Sequence, residues 1–126
     1  MVNWVLDHGL VGKIFVHKIP SYCISDVAEA IVPSCEKQII GIRLGEKIHE
    51  QMITSSDSFS TIDLGNYYAI LPSDGHVQQL YDEADIASTK VPKGFSYESG
   101  SNPDFLSIEQ LRALIVTHVD STFEPV

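Results

Sequence analysis

The chain carries little positive charge. Its 126 residues include eight lysines and arginines against seventeen aspartates and glutamates, which gives a formal net charge of −9. Nucleic acids and anionic lipid surfaces attract a positive field, so this balance argues against nucleic-acid binding and against a polybasic membrane anchor. Only two of the cations are arginines, Arg43 and Arg112. An anionic ligand therefore needs a locally placed cation.

Cysteine and long apolar runs are also scarce. Cys23 and Cys35 lack C-x-x-C spacing and have no zinc-ligand set around them, so we expect two buried, reduced thiols. A disulfide between them is the alternative. No basic signal-peptide start is present, and no apolar run approaches the roughly 18 residues of a membrane span. We expect a cytoplasmic protein with no metal site and no membrane contact.

Apolar periodicity predicts an α/β chain of short elements. The clearest helix begins at Ser107, whose spacing to Gln110 fits a capping box. A second helix is expected from a cap at Ser21 or Ser25 to Val32, before Pro33. The other expected elements are a helix tail at 2–10, strands at 14–17 and 37–42, a helix at 46–53, a surface loop at 54–60, a strand or strand pair over 61–71 interrupted at 65–66, a turn at 72–75, a weak helix at 76–88, an extended stretch at 92–97 and a frayed tail from 120.

The most informative stretch runs from Ile39 to Glu50, I-I-G-I-R-L-G-E-K-I-H-E. Its pattern predicts that Arg43 leaves the end of a buried strand and that Glu46 opens a helix. Gly45 between them allows a ligand to approach the backbone. A guanidinium can hold a phosphate bidentately, and a carboxylate can accept hydrogen bonds from two sugar hydroxyls. The plainer alternatives are an Arg43–Glu46 surface pair and a first-turn glutamate favoured by the helix dipole.

This run is similar to the I-G-I-R-P-G-E-K-L-H-E segment of the inverting UDP-N-acetylglucosamine 4,6-dehydratases, which are lyases of the extended short-chain dehydrogenase/reductase superfamily. The family acts in bacterial capsule and other polysaccharide biosynthesis. Leu44 stands where the family has proline. The resemblance extends along nearly the whole chain through K-I-F-V-H-K-I-P-S at 13–21, I-S-D-V-A-E-A-I at 24–31, and G-F-S-Y-E-S followed by N-P at 94–103.

The resemblance implies a binding site for a UDP-sugar. Arg43 would bind the UDP moiety, through its phosphates, and Glu46 would be a substrate-contacting acid. Lys47 and His49 occupy family positions but are expected on a helix surface. Two further residues, Lys18 and Ser21, lie at a strand-to-helix corner that could border the pocket.

The same resemblance implies an NADP-binding half that this sequence does not contain. A dinucleotide-binding fingerprint requires G-x-G-x-x-G, yet no two of the eight glycines are spaced G-x-G. No lysine has a tyrosine four residues before it, so the superfamily's Tyr-x-x-x-Lys is absent too. We therefore expect a small mixed-strand substrate-binding domain without the Rossmann domain. It would have no catalytic, cofactor-binding or metal-binding residue of its own, and NADP would belong to the complete family enzyme.

We expect one domain over 1–126. Strand–helix units that carry the motif occupy 1–53, a carboxyl-terminal extension follows over 54–119, and a tail covers 120–126. The expected function is the UDP-sugar-binding portion of a dehydratase-like protein, inactive alone, with a separate Rossmann half or a second copy as partner. Two alternatives stay open: a non-catalytic module that assembles with or regulates a nucleotide-sugar enzyme, and an inactive truncated remnant.

Overall fold

The fold is that of a computed structural model, in which residues 3, 6, 7, 13–72 and 87–126 are described. Its α/β character is confirmed. Residues 3, 6 and 7 are helical, whereas the predicted elements at 72–75 and 76–88 lie mostly outside the described residues. The elements are β1 (Ile14–His17), α1 (Ile24–Ile31), β2 (Gln51–Ile53), a 3₁₀ helix (Asp57–Ser60), β3 (Thr61–Asp63), β4 (Tyr67–Ile70), β5 (Thr89–Lys90), β6 (Tyr97–Glu98) and α2 (Ile108–His118).

The chain divides into two compact units, each built from two separate stretches. The first unit combines residues 1–19 with 51–98, and the second combines residues 20–50 with 99–126. The sequence boundaries at 53 and 119 remain predictions.

The main sheet of the first unit is antiparallel throughout, in the order β1-β4-β3-β5. Of the two predictions for 61–71, a single strand or a strand pair, the pair is correct: it is the β3–β4 hairpin, whose turn contains Gly65 at φ +81°. Asp63 holds this turn, because its Oδ1 accepts a hydrogen bond from the Gly65 amide at 2.8 Å. The same carboxylate forms an ion pair with Lys18 at 2.7 Å.

A two-stranded sheet of β2 and β6 completes the first unit. Ile53 at the end of β2 is fully buried and packs with Val16 and Tyr97. The predicted helix at 46–53 is therefore wrong. The spacing of Ile48 and Met52 fits a helix, but residues 51–53 pair with β6 instead. This pairing is a tertiary contact, so a local sequence pattern could not predict it.

Two helices dominate the second unit. The capping box that opens α2 is confirmed: the Ser107 hydroxyl accepts from the Gln110 amide, and the Gln110 side chain accepts from the Ser107 amide. The N-cap of α1 is Cys23 and makes no side-chain capping bond, so the prediction of a serine cap is wrong. The helix ends at Ile31, before Pro33, as predicted.

Each of the last four carbonyls of α1 accepts a hydrogen bond. The Val32 amide donates to Ala28, and the Val126 amide donates to Ile31. Between them, the Arg112 side chain on α2 donates to the carbonyls of Glu29 and Ala30, at 3.2 and 3.0 Å. The last carbonyls of a helix have no amide donor within the helix. Here the Arg112 side chain of α2 and the Val126 amide supply the missing donors.

The predicted buried strand at 37–42 is wrong. These residues have no regular structure, and their large aliphatic side chains are exposed, with Ile39 at 96%. A strand requires a hydrogen-bonded neighbour, and no described residue pairs with this segment. We call residues 36–48 the exposed arm.

The two thiols are also exposed, and both are free cysteines, so their predicted burial is wrong. Cys23 precedes α1, and its sulfur lies 3.1 Å from the Ser25 hydroxyl. That contact lowers the pKa of the Cys23 thiol below its ordinary value. The thiols have no core to occupy because the segments that carry them lie on the surface of the second unit.

Candidate functional site

Arg43 and Glu46 are the ends of a tight turn on the exposed arm. The Glu46 amide donates a hydrogen bond to the Arg43 carbonyl at 3.0 Å. Gly45, the third residue of the turn, has φ +84°, the positive value that a type II turn requires at this position. The sequence therefore located the bend and the need for glycine correctly. It misjudged the elements on either side, because neither a strand before nor a helix after the turn is formed.

The turn is closed a second time by a side chain. The Arg43 amide donates to Oε2 of Glu46 at 2.9 Å, so the carboxylate faces back over the turn. No ion pair between the two side chains is found among the described residues, so the simple surface pair is not the arrangement observed. The helix-dipole alternative fails because Glu46 opens no helix.

The Arg43 guanidinium is exposed and makes no hydrogen bond or ion pair with any described residue. The turn beside it is open, since a side chain built on Gly45 would meet nothing within 4 Å. Three of the eight basic residues of this acidic chain, Lys37, Arg43 and Lys47, fall within the exposed arm. Lys37 forms an ion pair with Glu29, which leaves Arg43 and Lys47 as the cations available to an anion.

The residues after the turn are held by contacts with the second stretch of the same unit, which begins at residue 99. The Glu50 amide donates to the Ser99 hydroxyl at 3.0 Å, and the Ser99 amide donates to the Glu50 carbonyl at 2.8 Å. The His49 ring lies against Gly100, where a Cβ atom would come within 2.7 Å of its Cγ. His49 was expected on a helix surface, and its packing on a glycine could not be read from a helical pattern.

The two corner residues, Lys18 and Ser21, have structural partners. Lys18 forms its ion pair with Asp63 in the first unit, and its ammonium lies 4.4 Å from the centre of the Tyr68 ring. Burial raises the pKa of the Tyr68 hydroxyl above its ordinary value. Ser21, in the second unit, is buried and accepts a hydrogen bond from the Asn102 side chain at 3.0 Å.

The corner between β1 and α1 lacks the features that hold the pyrophosphate of a dinucleotide. The corner between β1 and α1 contains no glycine, and its Ser21 amide already donates to the Asp104 carbonyl at 2.8 Å. A pyrophosphate requires free amides at such a corner. Across the described ranges, no three His, Cys, Asp or Glu residues are arranged to hold a metal ion. Neither of the helices α1 and α2 has the length and apolar character needed to traverse a bilayer.

A family model decides the classification. The model described as "Polysaccharide biosynthesis protein" matches residues 1–72, which include β1, α1 and the whole exposed arm. The chain belongs to this family. Together with the 46% identity to a dehydratase described next, this match confirms the predicted relationship to the dehydratases of the extended short-chain dehydrogenase/reductase superfamily.

The relatives of this chain carry two different enzyme names. The chain is 46% identical to a UDP-N-acetylglucosamine 4,6-dehydratase (inverting) of Campylobacter jejuni, over 90% of this chain and 34% of the relative. It is 35% identical to a UDP-glucose 4-epimerase of Rickettsia canadensis, over 93% of this chain and 35% of the relative. The chain thus spans about a third of the length of these curated relatives.

A solved structure shares the fold. The X-ray structure of Pen from Bacillus thuringiensis matches with a TM-score of 0.70 at 22% identity, covering 91% of this chain and 34% of that one. At that identity the likeness concerns the fold alone.

Proposed function

We propose that this polysaccharide-biosynthesis-family chain binds the uridine diphosphate part of a nucleotide sugar through Arg43, at the turn that the Glu46 carboxylate closes. The observation that carries the proposal is the exposed Arg43 guanidinium, which has no partner among the described residues and stands at an open, glycine-containing turn. A guanidinium binds two phosphate oxygens with parallel N–H donors and keeps its charge at any physiological pH.

The names of the relatives favour UDP over any particular sugar. The dehydratase and the epimerase are named for different reactions and different hexoses, but both names contain UDP. A part of the protein that both groups share is thus better matched to the nucleotide than to the sugar. On this proposal the chain supplies a substrate-binding domain, and the reaction belongs to longer proteins of the family with bound NADP.

Calorimetry with UDP and with UDP-N-acetylglucosamine tests the proposal. We expect both ligands to bind the wild-type chain, and we expect Arg43→Ala to weaken both by about tenfold or more, because a charge-assisted contact to phosphate is lost. Lys90→Ala is the control, since it removes an exposed cation that lies outside the arm. No UDP binding by the wild-type chain, or equal losses in the two variants, would overturn the assignment to Arg43.

A second experiment addresses the partner. The remaining two thirds of the Campylobacter relative can be expressed separately and mixed with this chain, NADP and UDP-N-acetylglucosamine. We expect a 4-keto sugar product only in the mixture and not with either polypeptide alone. Absence of product from the mixture would count against a partner half and in favour of a protein that binds nucleotide without catalysing its conversion.

A further inference from the structure

One carboxylate oxygen of Glu46 accepts a hydrogen bond within its own turn. Oε2 accepts the Arg43 amide at 2.9 Å, while the Glu46 amide donates to the Arg43 carbonyl at 3.0 Å. The two residues therefore bond each other through both backbone groups of Arg43. No other described residue holds the Arg43 backbone, and the segments on both sides of the turn are irregular and exposed.

We propose that Glu46 is a positioning residue: its carboxylate fixes the backbone of Arg43 and so sets where the guanidinium meets the nucleotide. This inference rests on the proposed function. It differs from a direct grip on the ribose, in which the carboxylate would receive two sugar hydroxyls. In the observed geometry one of the two carboxylate oxygens already accepts the Arg43 amide, so it could take a ribose hydroxyl only as a second donor.

The physical reason is preorganisation. An arginine on an irregular, exposed segment must be ordered when its ligand binds, and ordering a long side chain and its backbone weakens binding. A turn closed by two hydrogen bonds restricts the Arg43 backbone before the ligand arrives. Glycine at the third position makes the turn possible without strain, and Leu44 at the second position does not stiffen it as proline would.

Conservative replacement separates positioning from charge. In Glu46→Gln the side-chain carbonyl can still accept the Arg43 amide, so we expect UDP affinity within about threefold of the wild type. In Glu46→Ala the bond is lost, and we expect about three- to tenfold weaker binding. Glu36→Ala is the matched control, because it removes another exposed carboxylate from the arm, and we expect no change. An equal loss of UDP affinity in Glu46→Gln and in Glu46→Ala would overturn the proposal.

A change of ligand separates positioning from ribose contact. We expect Glu46→Ala to weaken UDP and 2′-deoxy-UDP by the same factor. If the wild-type chain prefers UDP and this preference disappears in Glu46→Ala, the carboxylate contacts the ribose hydroxyl and the positioning role is wrong.

Amide hydrogen exchange tests the same inference without nucleotide. We expect the Arg43 amide of the free chain to exchange about three- to tenfold faster in Glu46→Ala than in the wild type, and Gln at position 46 to restore most of the protection. Unchanged exchange in Glu46→Ala would overturn the positioning role even if UDP binds. Failure of UDP to bind any variant would overturn the proposed function, while the exchange result would still decide the role of Glu46 in the turn.

Discussion

The Tyr97 hydroxyl forms two hydrogen bonds with the backbone of Ile19. It accepts one from the Ile19 amide and donates one to the Ile19 carbonyl, each at 2.8 Å. Tyr97 is 8% exposed, and its ring packs against Tyr68. A side chain on β6 thus fixes the irregular segment that follows β1, within the first unit.

Removing this hydroxyl tests its contribution to folding. We expect Tyr97→Phe to lower the free energy of unfolding by about 1–3 kcal/mol, because two hydrogen bonds are lost at a buried position. Urea denaturation measures the change. Tyr22→Phe, at an exposed tyrosine, is the control and should change the free energy by less than about 0.5 kcal/mol. Equal effects of the two variants would contradict the role of Tyr97.

Arg112 offers a second test of stability. Its guanidinium donates to the Glu29 and Ala30 carbonyls at the end of α1. We expect Arg112→Ala to lower the free energy of unfolding by about 1–2 kcal/mol, and Arg112→Lys to recover part of it, because lysine keeps the charge but not the fork of donors. Arg43→Ala, which removes an exposed arginine, should be neutral in the same assay. A neutral Arg112→Ala would show that solvent replaces these bonds.

Acid should weaken the loop before β3. Asp57 accepts hydrogen bonds from the Thr54 hydroxyl at 2.6 Å and the Thr54 amide at 3.0 Å, and these hold the pKa of the Asp57 carboxyl below its ordinary value. A carboxyl with a lower pKa in the folded state stabilises the fold above its unfolded pKa, and this contribution disappears as pH falls through the folded value. We therefore expect a loss of stability below about pH 4.

Urea unfolding at pH 6 and at pH 2.5 measures this dependence. In Asp57→Asn the side chain no longer titrates, so the difference between the two pH values should be smaller than in the wild type. An unchanged difference would assign the acid sensitivity to other carboxylates.

Proline at position 44 should stiffen the turn. Leu44 is fully exposed, so its replacement loses no packing. Proline favours the second position of a type II turn, and we expect Leu44→Pro to stabilise the turn by about 0.4–1 kcal/mol. The measurable result is slower hydrogen exchange of the Glu46 amide, which donates to the Arg43 carbonyl. Faster exchange would mean that Arg43 cannot adopt the extended conformation that precedes proline.

The exposed arm should make the chain self-associate. Ile39, Ile40 and Ile42 are all largely exposed within four residues, and such apolar surface drives association. We expect sedimentation velocity to show mass increasing with protein concentration, and Ile40→Lys to reduce it. Glu36→Lys alters the net charge by a larger amount nearby without removing apolar surface, and it is the control. Equal effects of both substitutions would attribute the association to charge.

Local signals explain what could be predicted. The α2 helix begins where the Ser107 and Gln110 spacing places it, because a capping box is formed by residues three positions apart. The β3–β4 hairpin turns at Gly65, and the turn from Arg43 to Glu46 bends at Gly45, because both positions need a positive φ. In each case the deciding interaction lies within a few residues of the pattern.

Distant pairing explains what could not. Residues 51–53 form a strand because β6 lies beside them, although β6 is more than forty positions later in the chain. Residues 37–42 have the composition of a buried strand but no described partner. At the candidate site, the residue types and the bend were predictable. The bond from the Arg43 amide to the Glu46 carboxylate was not, because it depends on a side-chain rotamer.

The carbonyl end of α1 has a consequence for folding order. The donors that complete it come from Arg112 and Val126, about eighty and ninety-five positions after the carbonyls they contact. During synthesis α1 emerges long before residues 112 and 126 are made, so the carbonyls of its final turn remain hydrogen-bonded to water until both residues have left the ribosome. Assembly of the second unit is therefore a late event governed by long-range loop closure, and a ribosome stalled before residue 112 would display α1 with a frayed end.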